Sequence, residues 1–532
     1  MLSRRHFLAL SAAFPTVSYL SMTPALAATP KDILVIAQQL DNMTSLDPHE
    51  SFEAVGSEIC GNMYQQLVIP SYGDPDVVDP QVAESWTAGE DGKTFTFKIA
   101  SGLKFSSGGD LTAADCAYSL QRCIAMNKSP AFIISQFGWT AENVADKIRA
   151  TDPTTLVLET AEPTSVSFLL YCLSANVGSI VEKAVVEANA VDGDWGNAWL
   201  QKNSAGSGNF VLQVWRPSDS VSMQVNPNSG YKGNLKRIIL RHIADPSSQL
   251  LMVQNGDVDI ARNLTSEQLR TLQGNADIKL ERKATASLML ISLNQSHEKL
   301  QNPKLWEAFK WAIDYEGIQK NILPMTHEVH QSIIPNGMPG ALTENPFQKD
   351  VAKAKALLAE AGFPDGLEIT MDHYSAQPYP DIAQTIQANL AEIGVKVNLL
   401  STENRQVLTK MRAREHEVAL SAWGTDYFDT NSNAEVFCIN KDNGDNPASK
   451  PFAWRSHFKN DEFMAMAIAA RDEQDPAKRI EMYLELQKAF MHNSPFVVMM
   501  QGSTTVAMQP DVQGVRLGVI SSMHSYAEVS KV

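Results

Sequence analysis

The segment Ala422-Trp423-Gly424-Thr425-Asp426-Tyr427 joins a large aromatic side chain to a carboxylate three residues further on. A tryptophan offers a rigid apolar face, and a carboxylate near it can hold an ammonium group or hydroxyls. Other reactive residues do not assemble into a known catalytic pattern. His327-Glu328-Val329-His330 sets its histidines three apart, not at the spacing of a helical H-E-x-x-H zinc site. Pro324 and Pro335 flank it and predict a surface loop. Ser207 lies between Gly206 and Gly208, which reads as a turn, and no G-x-S-x-G occurs. No phosphate-binding G-x-x-x-x-G-K-[ST] or full G-x-G-x-x-G is present. The five cysteines, Cys60, Cys116, Cys123, Cys172 and Cys438, contain no C-x-x-C and no zinc spacing. On a helix Cys116 and Cys123 stand about 10 Å apart along the axis, too far for a disulfide. The cysteines are therefore expected as small buried apolar groups. With no local signature for any of them, no catalytic centre, no cofactor and no metal are expected.

The elements around Trp423 and Asp426 are those of an α/β chain. Glu417 to Ser421 reads as a strand, so the Trp-to-Asp segment falls at a strand end, where α/β folds hold ligands. Upstream, Val351 to Ala361 reads as a helix stopped by Gly362 and Pro364. Glu368 to His373 is a strand. Ile382, Ile386, Leu390 and Ile393 mark the apolar stripe of the next helix, and Val395 to Leu399 is a second strand. Strand, helix and strand at this spacing make a parallel crossover. Asp475-Pro476 opens a last long helix. In the N-terminal half, Ile33 to Gln39 and Lys236 to His242 read as strands and Ser57 to Leu67 as a helix. Phe95, Phe97 and Ile99 alternate with Thr94, Thr96 and Lys98, the pattern of a strand with one apolar face. Thr112 and Asp115 then open a helix through Ala117, Leu120 and Ile124.

The order of residues from Asp79 to Arg122 closely resembles the P-x-L-A-E-S-W, D-G-x-x-Y/F-T-F and L-T-A-x-D signature of family 5 extracellular solute-binding proteins. Leu46-Asp47-Pro48-His49 resembles that family's L-D-P-H turn, and Trp423 to Tyr427 its W-x-x-D-Y segment. Ser106-Ser107 and Cys116 depart from its usual residues. The resemblance spans essentially the whole mature chain. It implies an α/β, two-lobed type II periplasmic-binding-protein fold with an extra N-terminal subdomain. It also implies a small-molecule or peptide ligand, an ABC permease as partner in the inner membrane, and action as a monomer. Residues 28–55, 190–283 and 496–532 would form the first lobe and 56–189 the extra subdomain within it. Residues 284–495 would form the second lobe, with crossings near Ala284 and Pro495.

By the same resemblance Asp426 anchors a ligand amine, Trp423 walls the site, and Tyr427 completes the segment. Phe52 and Glu53 face the ligand from the first lobe, and Leu288 to Leu290 line the cleft. Dipeptide-binding relatives place an arginine before a Pro-Tyr pair to clamp the peptide carboxylate. Here Gln377 precedes Pro378-Tyr379, and a neutral amide makes no bidentate ionic clamp. A longer peptide, an amine, an opine-like conjugate or a sugar stays open as ligand. A periplasmic hydrolase on a similar scaffold is the rival class.

Residues 1–27 read as a twin-arginine signal peptide: Ser3-Arg4-Arg5-His6-Phe7-Leu8, a short apolar run, and Ala25-Leu26-Ala27 before the cut. The mature protein is thus expected in the periplasm. The chain of 532 residues is 44% hydrophobic and 20% charged, with a net charge of −16. That size calls for more than one core. So acidic a surface argues against nucleic acid, whose phosphates need basic patches.

Overall fold

The computed structural model describes residues 29–447 and 449–532, so the expected signal peptide lies outside the described residues. One eleven-stranded sheet runs through the molecule. Its order begins with Val395–Thr402, Leu367–Tyr374 and Val418–Gly424 and reaches Lys279–Leu293 and Phe496–Met508 at the centre. It continues through Ile260–Ala261, Ile33–Gln38, Arg237–His242, Ser220–Val225 and Phe210–Arg216. Leu367–Tyr374 and Val395–Thr402 are parallel and joined by the helix Tyr379–Glu392, as the crossover pattern requires. The other parallel pairs are Leu367–Tyr374 with Val418–Gly424, and Ile33–Gln38 with both Arg237–His242 and Ile260–Ala261.

Three large cores sit on this frame. The first, around Leu34, Ile238 and Met508, belongs to one end of the sheet. The second, around Leu290, Phe309 and Phe490, belongs to the other. A third fills a separate subdomain whose four-stranded sheet has the order Ala83–Ala88, Thr94–Ile99, Thr155–Glu159, Ile148–Asp152. Phe95, Phe97 and Ile99 are buried there while Lys98 is exposed, so the two-residue alternation is realised. Across that sheet lies the helix Ala113–Met126, where the Asp115 carboxylate accepts from the Thr112 backbone N–H at 3.0 Å.

Two strands connect the first and second bodies. Lys279–Leu293 and Phe496–Met508 pair antiparallel, but their register breaks between Ala284 and Leu288. Regular pairing stops at Ser503 and resumes at Gln501 on the partner strand. There the Ala286 N–H donates instead to the Val519 carbonyl at 2.8 Å, and the Ala286 carbonyl accepts from Thr425 N–H at 2.8 Å.

The L-D-P-H turn ties the first body to the subdomain. Asp47 and Arg122 are fully buried and joined by two hydrogen bonds of 2.9 and 2.6 Å. His49 lies 3.0 Å from the Ser179 carbonyl through Nε2 and 2.9 Å from Arg122 through Nδ1. A carbonyl only accepts, so Nε2 carries the proton and Nδ1 receives the guanidinium. Burial, reinforced by Arg122, holds the His49 pKa down to about 4.

Two expectations need correction. The helix expected at Ser57 to Leu67 is Ala54–Met63, because Tyr64 is extended; Leu67 keeps the apolar spacing only because it is buried from outside the helix. The expected loop at His327 is a strand, His327–Val329, paired with Phe496–Met508. His330 follows it fully buried, its Nε2 2.8 Å from the Ile334 carbonyl. All five cysteines are buried and free.

Candidate functional site

A cavity of about 400 Å³ opens where the two bodies and the subdomain meet. The first body contributes Ser51, Phe52, Ala54 and Ser57, on and before the first turn of the helix Ala54–Met63. The subdomain contributes Pro130, Ile133 and Ala175 to Val177. From the second body come Thr285 to Ser287, at the register break, and Gly424 to Asp426, at the strand end. Ile520 to Ser522 and His524 close the remaining side. Phe52 and Phe132 are exposed and meet edge to face, ring centroids 6.1 Å apart.

Asp426 is held in place by the residues on either side. The preceding strand ends at Gly424, and Thr425 is bonded to Ala286. The Asp426 N–H donates to Ser432 Oγ at 3.1 Å. Three residues on, Asp429 caps the helix Thr430–Cys438 and makes a buried ion pair with Arg479, with bonds of 2.7 and 2.9 Å. The Asp426 carboxylate itself has no ion-pair partner among the described residues. Burial pushes its pKa up to about 6; Arg455 draws it down and Glu435 adds to the rise. A carboxyl so placed gains from any cation that enters.

The expected site residues divide into two groups. Asp426 and Phe52 line the cavity. Trp423 does not: its ring packs edge-on against Phe437 and Phe452, and its Nε1 donates to Asn433 Oδ1 at 3.2 Å. It backs the wall instead of forming it. Tyr427 is buried against Phe168 of the subdomain, with its hydroxyl accepting from Asn431 at 3.1 Å. Glu53 turns to Thr44, whose hydroxyl donates to it at 2.6 Å, and borders a separate shallow hollow with Lys128. Gln377 is exposed outside the cavity. Leu288 to Leu290 are buried, and the three residues before them line the cleft in their place. Asn176, Thr285 to Ser287 and His524 carried no sequence signal, since each reaches the cavity through a turn or a broken register. Burial holds the His524 pKa down to about 4.

Residues 77–445 match the bacterial extracellular solute-binding proteins, family 5, middle region. A probable D,D-dipeptide-binding periplasmic protein of Escherichia coli (strain K12) is 28% identical over 494 residues, covering 92% of each chain. A glutathione-binding protein of Shigella dysenteriae is 26% identical over 478 residues, covering 88% of each. The fold is that of a Helicobacter pylori periplasmic binding protein solved with the peptide STSA, with a TM-score of 0.75 and 24% identity. That match covers 94% of this chain and 98% of the other. The chain belongs to family 5 of the bacterial extracellular solute-binding proteins, the solute-capturing components of ABC importers.

Proposed function

We propose that the protein captures a small amine-bearing solute, such as a short peptide, in this cavity and delivers it to an ABC permease. It works as a monomer in the periplasm, after export through the twin-arginine leader. One observation carries the ligand class: among the described residues Asp426 is a carboxylate without an ion-pair partner in a cleft between bodies, and no Lys or Arg lines that cleft. The peptide and glutathione ligands named for the relatives support the same class. Gln377, exposed where dipeptide-binding relatives carry an arginine, disfavours a dipeptide held by its carboxylate. Thr285 to Ser287, where the two connecting strands lose register, act as a hinge, and the bodies close around the solute.

The test is mass spectrometry of the compound that co-purifies with natively expressed protein, followed by small-angle scattering with and without it. Compaction on binding supports capture. Chemical turnover of that compound would replace the carrier reading with the rival hydrolase.

A further inference from the structure

We propose that the exposed rings of Phe52 and Phe132 form a second binding subsite, which takes an apolar side chain of a solute too long to end inside the Asp426 cavity. The inference rests on peptide capture in that cavity and adds to it a length and a side-chain preference. Phe52 is 39% exposed and Phe132 43%. Three large aromatic side chains are exposed among the described residues, these two and Trp195. A single exposed apolar residue is ordinary, but two rings in contact make a patch. Their centroids lie 6.1 Å apart and their planes are 82° apart, so the edge of one ring meets the other.

The pair stands at the mouth of the cavity. Phe52 lines both that cavity and the hollow beside it, which holds about 370 Å³. Pro130 lines the cavity and Ser129 the hollow, so the two spaces also adjoin along the subdomain. The other residues of the hollow are polar: Thr44, Glu50, Glu53 and Lys128. Their groups are already engaged. Lys128 lies 3.3 Å from Glu50, which also accepts from Ser45, Asn197 and Gln201 at 2.9, 3.0 and 2.9 Å. Glu53 accepts from Thr44 at 2.6 Å. The rings are the surface that a ligand would improve. An apolar group laid on them leaves water, and an aromatic one adds a third ring to the pair. Phe52 comes from the first body and Phe132 from the subdomain, which the buried Asp47–Arg122 pair ties together. The rings are therefore set in place without the second body, and no ordering cost falls on the ligand for bringing them together.

Calorimetry tests this with trialaninamide and the same peptide carrying phenylalanine at its second or its third position. One of the phenylalanine peptides should bind about tenfold tighter than trialaninamide. Glutamine at that position, bulky but polar, should give no gain. In Phe132→Ser the gain should shrink to about twofold or less, and Phe132→Leu should keep part of it. Phe132 is exposed, so neither change empties a core. The gain is a ratio read within each variant, so a partly inactive preparation does not change it. No gain from phenylalanine at either position, or the same gain in Phe132→Ser, overturns the subsite; with trialaninamide still bound, capture at Asp426 stands. If the wild type then forms dimers in sedimentation that Phe132→Ser does not, the rings pack against a second copy instead of the solute. Absence of binding by every peptide at millimolar concentration refutes peptide capture itself, and the subsite with it.

Discussion

Affinity for a cationic ligand should fall as the solution is acidified through pH 6, and Asp426 should be the reason. The carboxyl is lifted from its ordinary 3.8 to about 6, mainly by burial. The charges that act on it from neighbouring elements are Arg455, which favours the ionised form, and Glu435, which opposes it. Only the carboxylate attracts an ammonium. With a pKa near 6, about nine-tenths of the free protein is ionised at pH 7 and about one-tenth at pH 5. The apparent dissociation constant should therefore rise about tenfold between those values. At pH 6 each binding event should release about half a proton, because the bound ammonium pulls the carboxyl to its charged form. His524 also lines the cavity, but its pKa near 4 keeps it neutral across this window. Calorimetry of dialaninamide from pH 5 to 8, in buffers of different ionisation enthalpy, measures both quantities. Asp426→Asn should bind weakly at every pH and release no proton. A flat wild-type profile, or the same slope in Asp426→Asn, would refute the assignment.

Tyr427→Ala should weaken ligand binding although Tyr427 does not touch the cavity, since the closed arrangement loses a buried ring worth about 1.5–3 kcal/mol. Unchanged affinity in the folded variant would show that Phe168 and Tyr427 stay together whatever the cleft does. Trp423→Ala should cost about 3 kcal/mol of stability, read as a lower thermal midpoint, with a smaller effect on binding than Asp426→Asn. The reverse ranking would put the Trp423 ring on the ligand after all. Arg4→Lys with Arg5→Lys should hold the precursor in the cytoplasm, as followed by fractionation. Normal periplasmic yield of that variant would assign the leader to the general secretory route.

Local pattern carried the elements well. Phe95, Phe97 and Ile99 alternate because a strand's side chains alternate, and no distant residue is needed to see it. Asp475, before Pro476, accepts from the Lys478 N–H at 2.9 Å, a cap written in adjacent residues. The helix Ala54–Met63 was misplaced because Leu67 is apolar for a reason outside the helix. The cavity was harder still. Its walls come from three bodies, and Asn176 and Ala286 reach it through a short turn and a register break. Neither has a periodicity. That Asp426 lines the cavity was legible because its segment resembles a family motif. Trp423, in the same segment, was assigned to the wall it only supports, since sequence does not say which side of a strand end faces the cleft.

Asp426 and Tyr427 are neighbours in sequence that face different surroundings. Asp426 lines the cavity, while Tyr427 and Phe428 pack on Phe168 and Tyr171 of the subdomain, with centroids 6.4 and 5.7 Å apart. Arg479 lies 5.4 Å from the Phe168 ring while it binds Asp429, so the ion pair sits at the same joint. Parting the second body from the subdomain would expose these rings and open the buried pair to water. Either step costs free energy that the ligand alone need not supply. The few residues from Asp426 to Asp429 therefore join a cavity-lining carboxylate to the packing and the ion pair at the joint with the subdomain. An ammonium that binds Asp426 across to the subdomain wall would favour the same arrangement, since it makes its contacts only when both walls are near.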